Sequence, residues 1–229
     1  MPPIRLQGAG VSFGGKEVLH PTDLELREDR IGIIGSNGSG KSTLVRLING
    51  LVTPTTGRVL YDGLDTASHG KRVRRRVGFV FSDAENQIVM PRVADDIAFS
   101  LRRFKLPRAE VDRRVEEALA RFGLADKREH SPHTLSGGEK QLLALAAVLV
   151  TEPDTIIADE PTTLLDLRNR RRILGEFAAL PQQLIVVTHD LEALAGFDRV
   201  LCVEGGRVLC DAPPAAAIDF YLSLMEQHT

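Results

Sequence analysis

The eight residues Gly35-Ser36-Asn37-Gly38-Ser39-Gly40-Lys41-Ser42 satisfy the pattern G-x-x-x-x-G-K-[ST] at every fixed position. Few folds accommodate that spacing. Glycines let consecutive backbone N–H groups turn toward one anion. Lys41 is placed to neutralise the outer phosphates, and the Ser42 hydroxyl to hold Mg²⁺. The flanks agree: Ile31-Gly32-Ile33-Ile34 is a short buried-strand pattern, and Thr43-Leu44-Val45-Arg46-Leu47-Ile48 is helical. A phosphate would therefore meet the N-terminus of a helix, where unpaired N–H groups and the helix dipole attract it. A chance glycine turn is the competing explanation, and it arises in about one chain of this length in a hundred. Nucleotide binding is the stronger reading.

The chain has 229 residues, enough for one large domain or a core carrying an insertion. Its 29 Lys+Arg and 31 Asp+Glu leave a net charge of −2, so no global charge points to nucleic acid or to a polybasic membrane anchor. The longest apolar run, Leu142 to Val150, is far short of the ~20 residues a membrane-spanning helix needs. Residues 1–20 lack the pattern of a secretory signal, and the expected setting is the cytosol. Cys202 and Cys210 flank a turn at Gly205-Gly206. A two-residue turn there sets Cys202 opposite Leu209, which predicts two small buried strand residues rather than a disulfide.

Val11-Ser12-Phe13 and Leu24-Glu25-Leu26 enclose a turn-rich stretch with Gly14-Gly15 and His20-Pro21, predicting an antiparallel β-element before the phosphate loop. Gly57 to Gly63 gives a further hairpin signal, and Val77 to Phe81 a strand. From Ser82 to about Thr151 the pattern turns helical; Val111, Val115 and Leu119 share one face. Solidly apolar strands return at 155–158, 184–187 and 200–203, as parallel strands covered on both faces require. The expected fold is α/β: a nucleotide-binding core (1–81 and 152–229) interrupted by a helical subdomain (82–151).

Two more constellations carry chemistry. Ile156-Ile157-Ala158-Asp159-Glu160 is an apolar strand ending in two carboxylates. Beside a phosphate loop, Asp159 suits Mg²⁺ and Glu160 suits polarising an attacking water. Thr188-His189-Asp190 ends the next strand at the same carboxyl edge, which places His189 for a γ-phosphate contact. Leu135-Ser136-Gly137-Gly138-Glu139-Lys140-Gln141 precedes a buried run, with Ser136 as helix N-cap, and makes a second anion site. Two such sites on different subdomains suggest one nucleotide clasped between two copies.

Taken together these motifs resemble the ATP-binding cassette (ABC) ATPases over nearly the whole chain. The resemblance implies a P-loop, RecA-like core with an N-terminal antiparallel β-element and an inserted helical subdomain. It implies that ATP is held by residues 35–42 with Thr43, and that Leu135, Ser136, Gly137, Gly138 and Glu139 form the signature motif, completing the site of a second, identical ATPase subunit. Thr163-Leu164-Leu165-Asp166 resembles the D-loop, and His189 the switch histidine. Phe13 stands where the family's adenine-stacking aromatic does, with a core phenylalanine as the alternative.

One departure is visible. The family has Gln after the Val-x-Phe strand; here Ser82 follows Val80-Phe81, and Gln87 comes five residues later. Ser82 keeps a hydroxyl but loses the amide and the reach. Phe81 to Gln87, followed by Val93-Ala94-Asp95-Asp96-Ile97-Ala98-Phe99, resembles the ATPases of energy-coupling factor (ECF) importers. That resemblance implies peripheral attachment at the cytoplasmic face of the membrane, with a transmembrane coupling protein and a substrate-binding membrane protein as partners. The compact, single-type chain is similar to the biotin importer ATPase; cobalt or nickel import is the alternative. An ABC-type DNA-repair or chromosome-organising head is the rival from another class, but only about 95 residues separate phosphate loop from signature, with no heptads. The basic clusters at 71–76 and 168–172 read as solvated faces.

Overall fold

In the computed structural model, residues 1–163 and 165–227 are described. Leu164, within the expected D-loop, lies outside them. The chain forms two compact units: Met1–Val77 with Asp154–Glu160 and Leu180–Thr229, and Gly78–Pro153 with Pro161–Ala179.

The first unit begins with strands β1 (Ile4–Phe13), β2 (Lys16–Leu26) and β3 (Arg30–Ile34), then helix α1 (Lys41–Ile48). Strands β4 (Thr56–Tyr61) and β5 (Leu64–Asp65) follow, then α2 (Thr66–Val73) and β6 (Val77–Val80), of which only Val77 belongs to the first unit. The second unit holds α3 (Val93–Leu101), α4 (Arg108–Arg121) and α5 (Gly137–Leu149). The chain returns to the first unit for β7 (Thr155–Asp159), then adds α6 (Leu167–Ala178) to the second. Strands β8 (Gln183–Val187), β9 (Arg199–Glu204) and β10 (Arg207–Ala212) and helix α7 (Pro214–Glu226) complete the first unit.

An antiparallel sheet runs β2-β1-β4-β5. The expected turn lies at Gly14-Gly15 alone, whereas His20-Pro21 stays inside β2. Proline has no N–H to give the ladder, so the register slips there: Ala9 pairs with Thr22, but Val11 with Leu19. The second sheet runs β10-β9-β3-β8-β7, extended by β6 at Val77, where the chain passes into the second unit. β3 is parallel to both β8 and β9, and β7 to β8; for β7, β8 and β9 the solid apolar runs predicted it. Ile31, Ile33 and Ile34 are fully buried, as are Ile156, Ile157, Ile185 and Val187.

The cysteine expectation needs a correction. Cys210 pairs directly with Cys202, because Leu209 is an extra residue between the Val208–Val203 and Cys210–Cys202 pairs. Both thiols are free; Cys202 is buried as expected, whereas Cys210, on the sheet's edge strand, is only half-buried. The sequence reading also passed over α2, α6 and α7 as helices. In α6 only Ile173 and Phe177 are buried, an i,i+4 pair in a helix rich in arginine, so the apolar stripe is thin. The first basic cluster is partly structural: Arg74 donates to the Gly50 carbonyl, and Arg76 bridges Asp62 and Asp154. Among the described residues, no helix is long and apolar enough to cross a membrane.

A buried polar chain ties the two sheets of the first unit together. The Tyr61 hydroxyl and the Thr155 hydroxyl lie 2.9 Å apart, and Thr155 donates to Gln183 Oε1 at 2.9 Å. Burial pushes the Tyr61 phenol up to about 12. Tyr61→Phe leaves Thr155 bonded to Gln183 but removes one buried partner. Its expected cost is about 1 kcal/mol of unfolding free energy, read as a lower urea midpoint at unchanged slope.

Candidate functional site

Ile34 ends β3 in the sheet interior, and the chain must turn at once into α1. At Gly35, with φ +148, an added Cβ would collide with the carbonyl oxygen of Val203. Gly38 lies at φ +79, with open space around it. Gly40, the N-cap of α1, has φ +105, and a Cβ there would lie 2.8 Å from the Val18 carbonyl. The loop thus lies flush against β2 and β9, and α1 starts with no side-chain cap. Such an uncapped end carries partial positive charge and N–H groups directed outward. Asn37 and Gly38 form the exposed tip, whereas Ser42 and Thr43 are half-buried in the first turn of α1. The Ser39 hydroxyl is buried with no partner among the described residues, a donor left free within the loop.

Lys41 is only 6% exposed. Its ammonium donates to the carbonyls of Gly35 (2.8 Å) and Ser36 (2.7 Å), so it curls over the loop. Burial pushes its pKa down, and the carboxylates of Glu160, Glu204 and Asp159 oppose that shift.

The parallel register brings three strand ends to one edge. Ile33 is level with Val187, and Val187 with Asp159. This edge therefore carries the phosphate loop after β3, Asp159 and Glu160 at the end of β7, and Thr188 and His189 after β8. The Ser42 hydroxyl donates to Asp159 Oδ1 at 2.9 Å, and Arg46 Nη2 lies 3.3 Å from Oδ2. Burial raises the Asp159 pKa; the Ser42 bond and the Arg46 charge work against it. A hydroxyl and a carboxylate this close are the hard oxygen donors that Mg²⁺ takes, so the residues fit that ion. Glu160 has φ +52, a left-handed conformation that side chains beyond Cα disfavour. Its N–H donates to the Val187 carbonyl at 2.9 Å, and its Oε2 lies 2.8 Å from His189 Nδ1. His189 is 59% exposed, so it is neither a core histidine nor far from the acid.

Phe13 closes β1 with 55% of its surface exposed, which removes the alternative of a core phenylalanine. The other expected residues belong to the second unit. Ser136 caps α5 in a reciprocal box: its side chain accepts from the Glu139 N–H, and Glu139 Oε2 accepts from the Ser136 N–H at 2.8 Å. Lys127 bonds to Glu139 and, with that box, holds the Glu139 pKa well below the usual carboxylate range. Leu135 is buried, whereas an added Cβ at Gly137 would meet nothing. At Gly138 a Cβ would collide with the Asn169 amide. Asn169 sits in the first turn of α6, whose N-cap is Asp166; Asp166 Oδ1 accepts from the Asn169 N–H at 2.8 Å. The Ser136–Gly138 turn and Asp166 are thereby packed into one block.

Ser82 is exposed at the surface. Gln87 is engaged elsewhere: its Oε1 accepts from the Phe81 N–H at 3.1 Å, and its Nε2 donates to the Ala144 carbonyl at 3.3 Å. Gln141 Nε2 donates to the Phe81 carbonyl at 3.3 Å, so two amides grip the residue before Ser82. The sequence reading missed Arg46 and Glu204. Arg46 was legible as the i+4 neighbour of Ser42 on α1. Glu204 had no local signal; it reaches Ser36 from 168 residues away.

Residues 19–163 match the ABC transporter family model. The biotin transport ATP-binding protein of Rhizobium etli is 53% identical over 221 residues, covering 95% of this chain and 97% of that protein. An energy-coupling factor transporter ATP-binding protein of Halalkalibacterium halodurans is 40% identical over 81% of this chain and 68% of its own length. Among solved structures, an ATP-binding cassette captured as a post-hydrolysis dimer with ADP and Pi superposes with TM-score 0.83 at 27% identity, over 92% of this chain and 98% of that one.

The two glycines at 35 and 38 should respond differently to the same change. Gly35→Ala, which forces a collision, is expected to abolish ATP retention in equilibrium binding. Gly38→Ala, which bears only the left-handed φ, is expected to weaken it by about tenfold.

Proposed function

The chain belongs to the ABC transporter family as an ATP-binding, ATP-hydrolysing protein, and from that premise we propose that it drives an importer of the energy-coupling factor type whose solute is biotin. One observation carries the catalytic half of the reading: a single sheet edge presents Lys41, Ser42, Asp159, Glu160 and His189 together.

In this reading the triphosphate displaces the loop carbonyls as partners of Lys41, and the uncapped N–H groups of α1 take the inner phosphates. Mg²⁺, held by Ser42 and Asp159, offsets phosphate charge when bound. Glu160 accepts a hydrogen bond from the attacking water, and its strained backbone aims the carboxylate out of the sheet edge. His189, in contact with Glu160, orients it and reaches the γ-phosphate. Phe13 stacks on adenine.

The capped turn Leu135–Glu139, exposed at Ser136 and Gly137, completes the site of an identical second subunit, with Asp166 at the same interface. A dimeric cassette with bound ADP and Pi is a structural neighbour, which supports that pairing. Ser82 stands in place of the family's glutamine. The assembly sits at the cytoplasmic face of the membrane, with a transmembrane coupling protein and a solute-binding membrane protein. Relatives named for biotin transport and for energy-coupling factor transport support this part of the proposal.

Two measurements test it. Glu160→Gln is expected to bind Mg-ATP, hydrolyse it at least a hundredfold more slowly, and elute as a dimer; monomers in excess Mg-ATP contradict the closed pair. Purification of the tagged chain from gently solubilised membranes is expected to bring down two membrane proteins and biotin. A different retained solute rejects the vitamin and leaves the importer standing.

A further inference from the structure

Glu204 belongs to no motif, yet its carboxylate takes both donors of Ser36. The Ser36 N–H donates to Oε2 at 3.1 Å, and the Ser36 hydroxyl to Oε1 at 2.7 Å. Glu204 ends β9, and the residues around it form one wall against the phosphate loop. The Val203 carbonyl sits where a Cβ of residue 35 would be. Gly206 donates its N–H to the Ser39 carbonyl at 2.8 Å, and His20 donates to the Gly206 carbonyl at 2.8 Å.

We infer that Glu204 is a positioning residue for ATP, holding the first turn of the phosphate loop in its binding shape from outside while touching no nucleotide itself. The inference rests on ATP occupying residues 35–42.

A carboxylate beside a polyphosphate site is costly unless its charge is occupied. Here each oxygen is committed to Ser36, and the charge also faces the Lys41 ammonium, whose burial it helps offset. Ser36 begins the loop, directly after the position where a side chain has no room. With Ser36 tethered and Ser39 bonded to Gly206, the loop is fixed at both ends of its first turn. Losing the carboxylate frees one end. The N–H groups of the following residues then sample orientations away from the anion, and binding must select the competent one.

Shape and charge make different demands on position 204. Glutamine keeps the length and one accepting oxygen, and the Ser36 hydroxyl can rotate to accept from its NH₂. Alanine keeps neither. A geometric anchor is therefore rescued by Gln, and an electrostatic one is not.

The experiment is equilibrium binding and steady-state hydrolysis of ATP by the full chain and by its Glu204→Ala and Glu204→Gln variants. Glu204→Ala is expected to raise Kd and KM about tenfold, with kcat within about twofold, since what is lost is a pair of charge-assisted hydrogen bonds made before chemistry. Glu204→Gln is expected to stay within about threefold of wild type. Tighter or unchanged ATP binding by Glu204→Ala overturns the inference, and so does a Gln variant as weak as the Ala variant. A wild-type chain that binds no ATP defeats the functional reading itself, which keeps the two failures apart. Nucleotide-free thermal unfolding reports folding. Should Glu204→Ala unfold early, Ser36→Ala removes the hydroxyl half of the anchor and is expected to weaken ATP about threefold; unchanged affinity there overturns the inference equally.

Discussion

The phosphate loop is held in shape by the absence of space at Gly35. The central strand β3 delivers the chain directly under the Val203 carbonyl, and only hydrogen fits there. Because β3 pairs with both β8 and β9, the height and direction of that delivery are set from two sides. Everything downstream inherits the constraint. Gly40 must take a left-handed turn to start α1, α1 then begins uncapped, and Lys41 has no course but back over its own loop. A loop so confined presents its N–H groups without further reorganisation, which is what makes an anion site strong.

Confinement has an electrostatic consequence. Lys41 and Asp159 are both buried, and removing a lone charge from water costs several kcal/mol. Each is tolerated because opposite charge converges: three carboxylates on Lys41, and Arg46 with the Ser42 hydroxyl on Asp159. Their pKa directions oppose one another, lysine down and aspartate up, so the site is poised for a ligand that brings both negative charge and a cation. The left-handed backbone of Glu160, worth roughly 1–2 kcal/mol of strain, is stored at the residue proposed to address water.

Much of this was legible in residue order, for physical reasons that differ by element. The phosphate loop, the apolar strand ending Asp159-Glu160, and Ser136 with Glu139 are local patterns: each residue's partner lies within a few positions or across a neighbouring parallel strand. The solid apolar runs announced parallel β7, β8 and β9 correctly. Pairing of Cys202 with Cys210 was misjudged because a bulge at Leu209 leaves no mark in composition. Helix α6 was passed over because its two buried apolar residues, Ile173 and Phe177, make only a faint stripe beside its arginines. Gln87 and Glu204 were opaque for another reason: their partners, Ala144 and Ser36, are brought near only by the finished fold.

The central claim is that a working site needs the loop of one chain and the capped turn of another. Mixing two inactive variants tests it most directly: Lys41→Ala, which lacks its own loop cation, and Ser136→Arg, which blocks its own signature turn. In a mixed pair, one site carries both lesions and the other carries none. ATP hydrolysis that neither variant shows alone is expected to return on mixing. A mixture as inactive as its parts, under conditions where the two chains associate, would contradict the shared site.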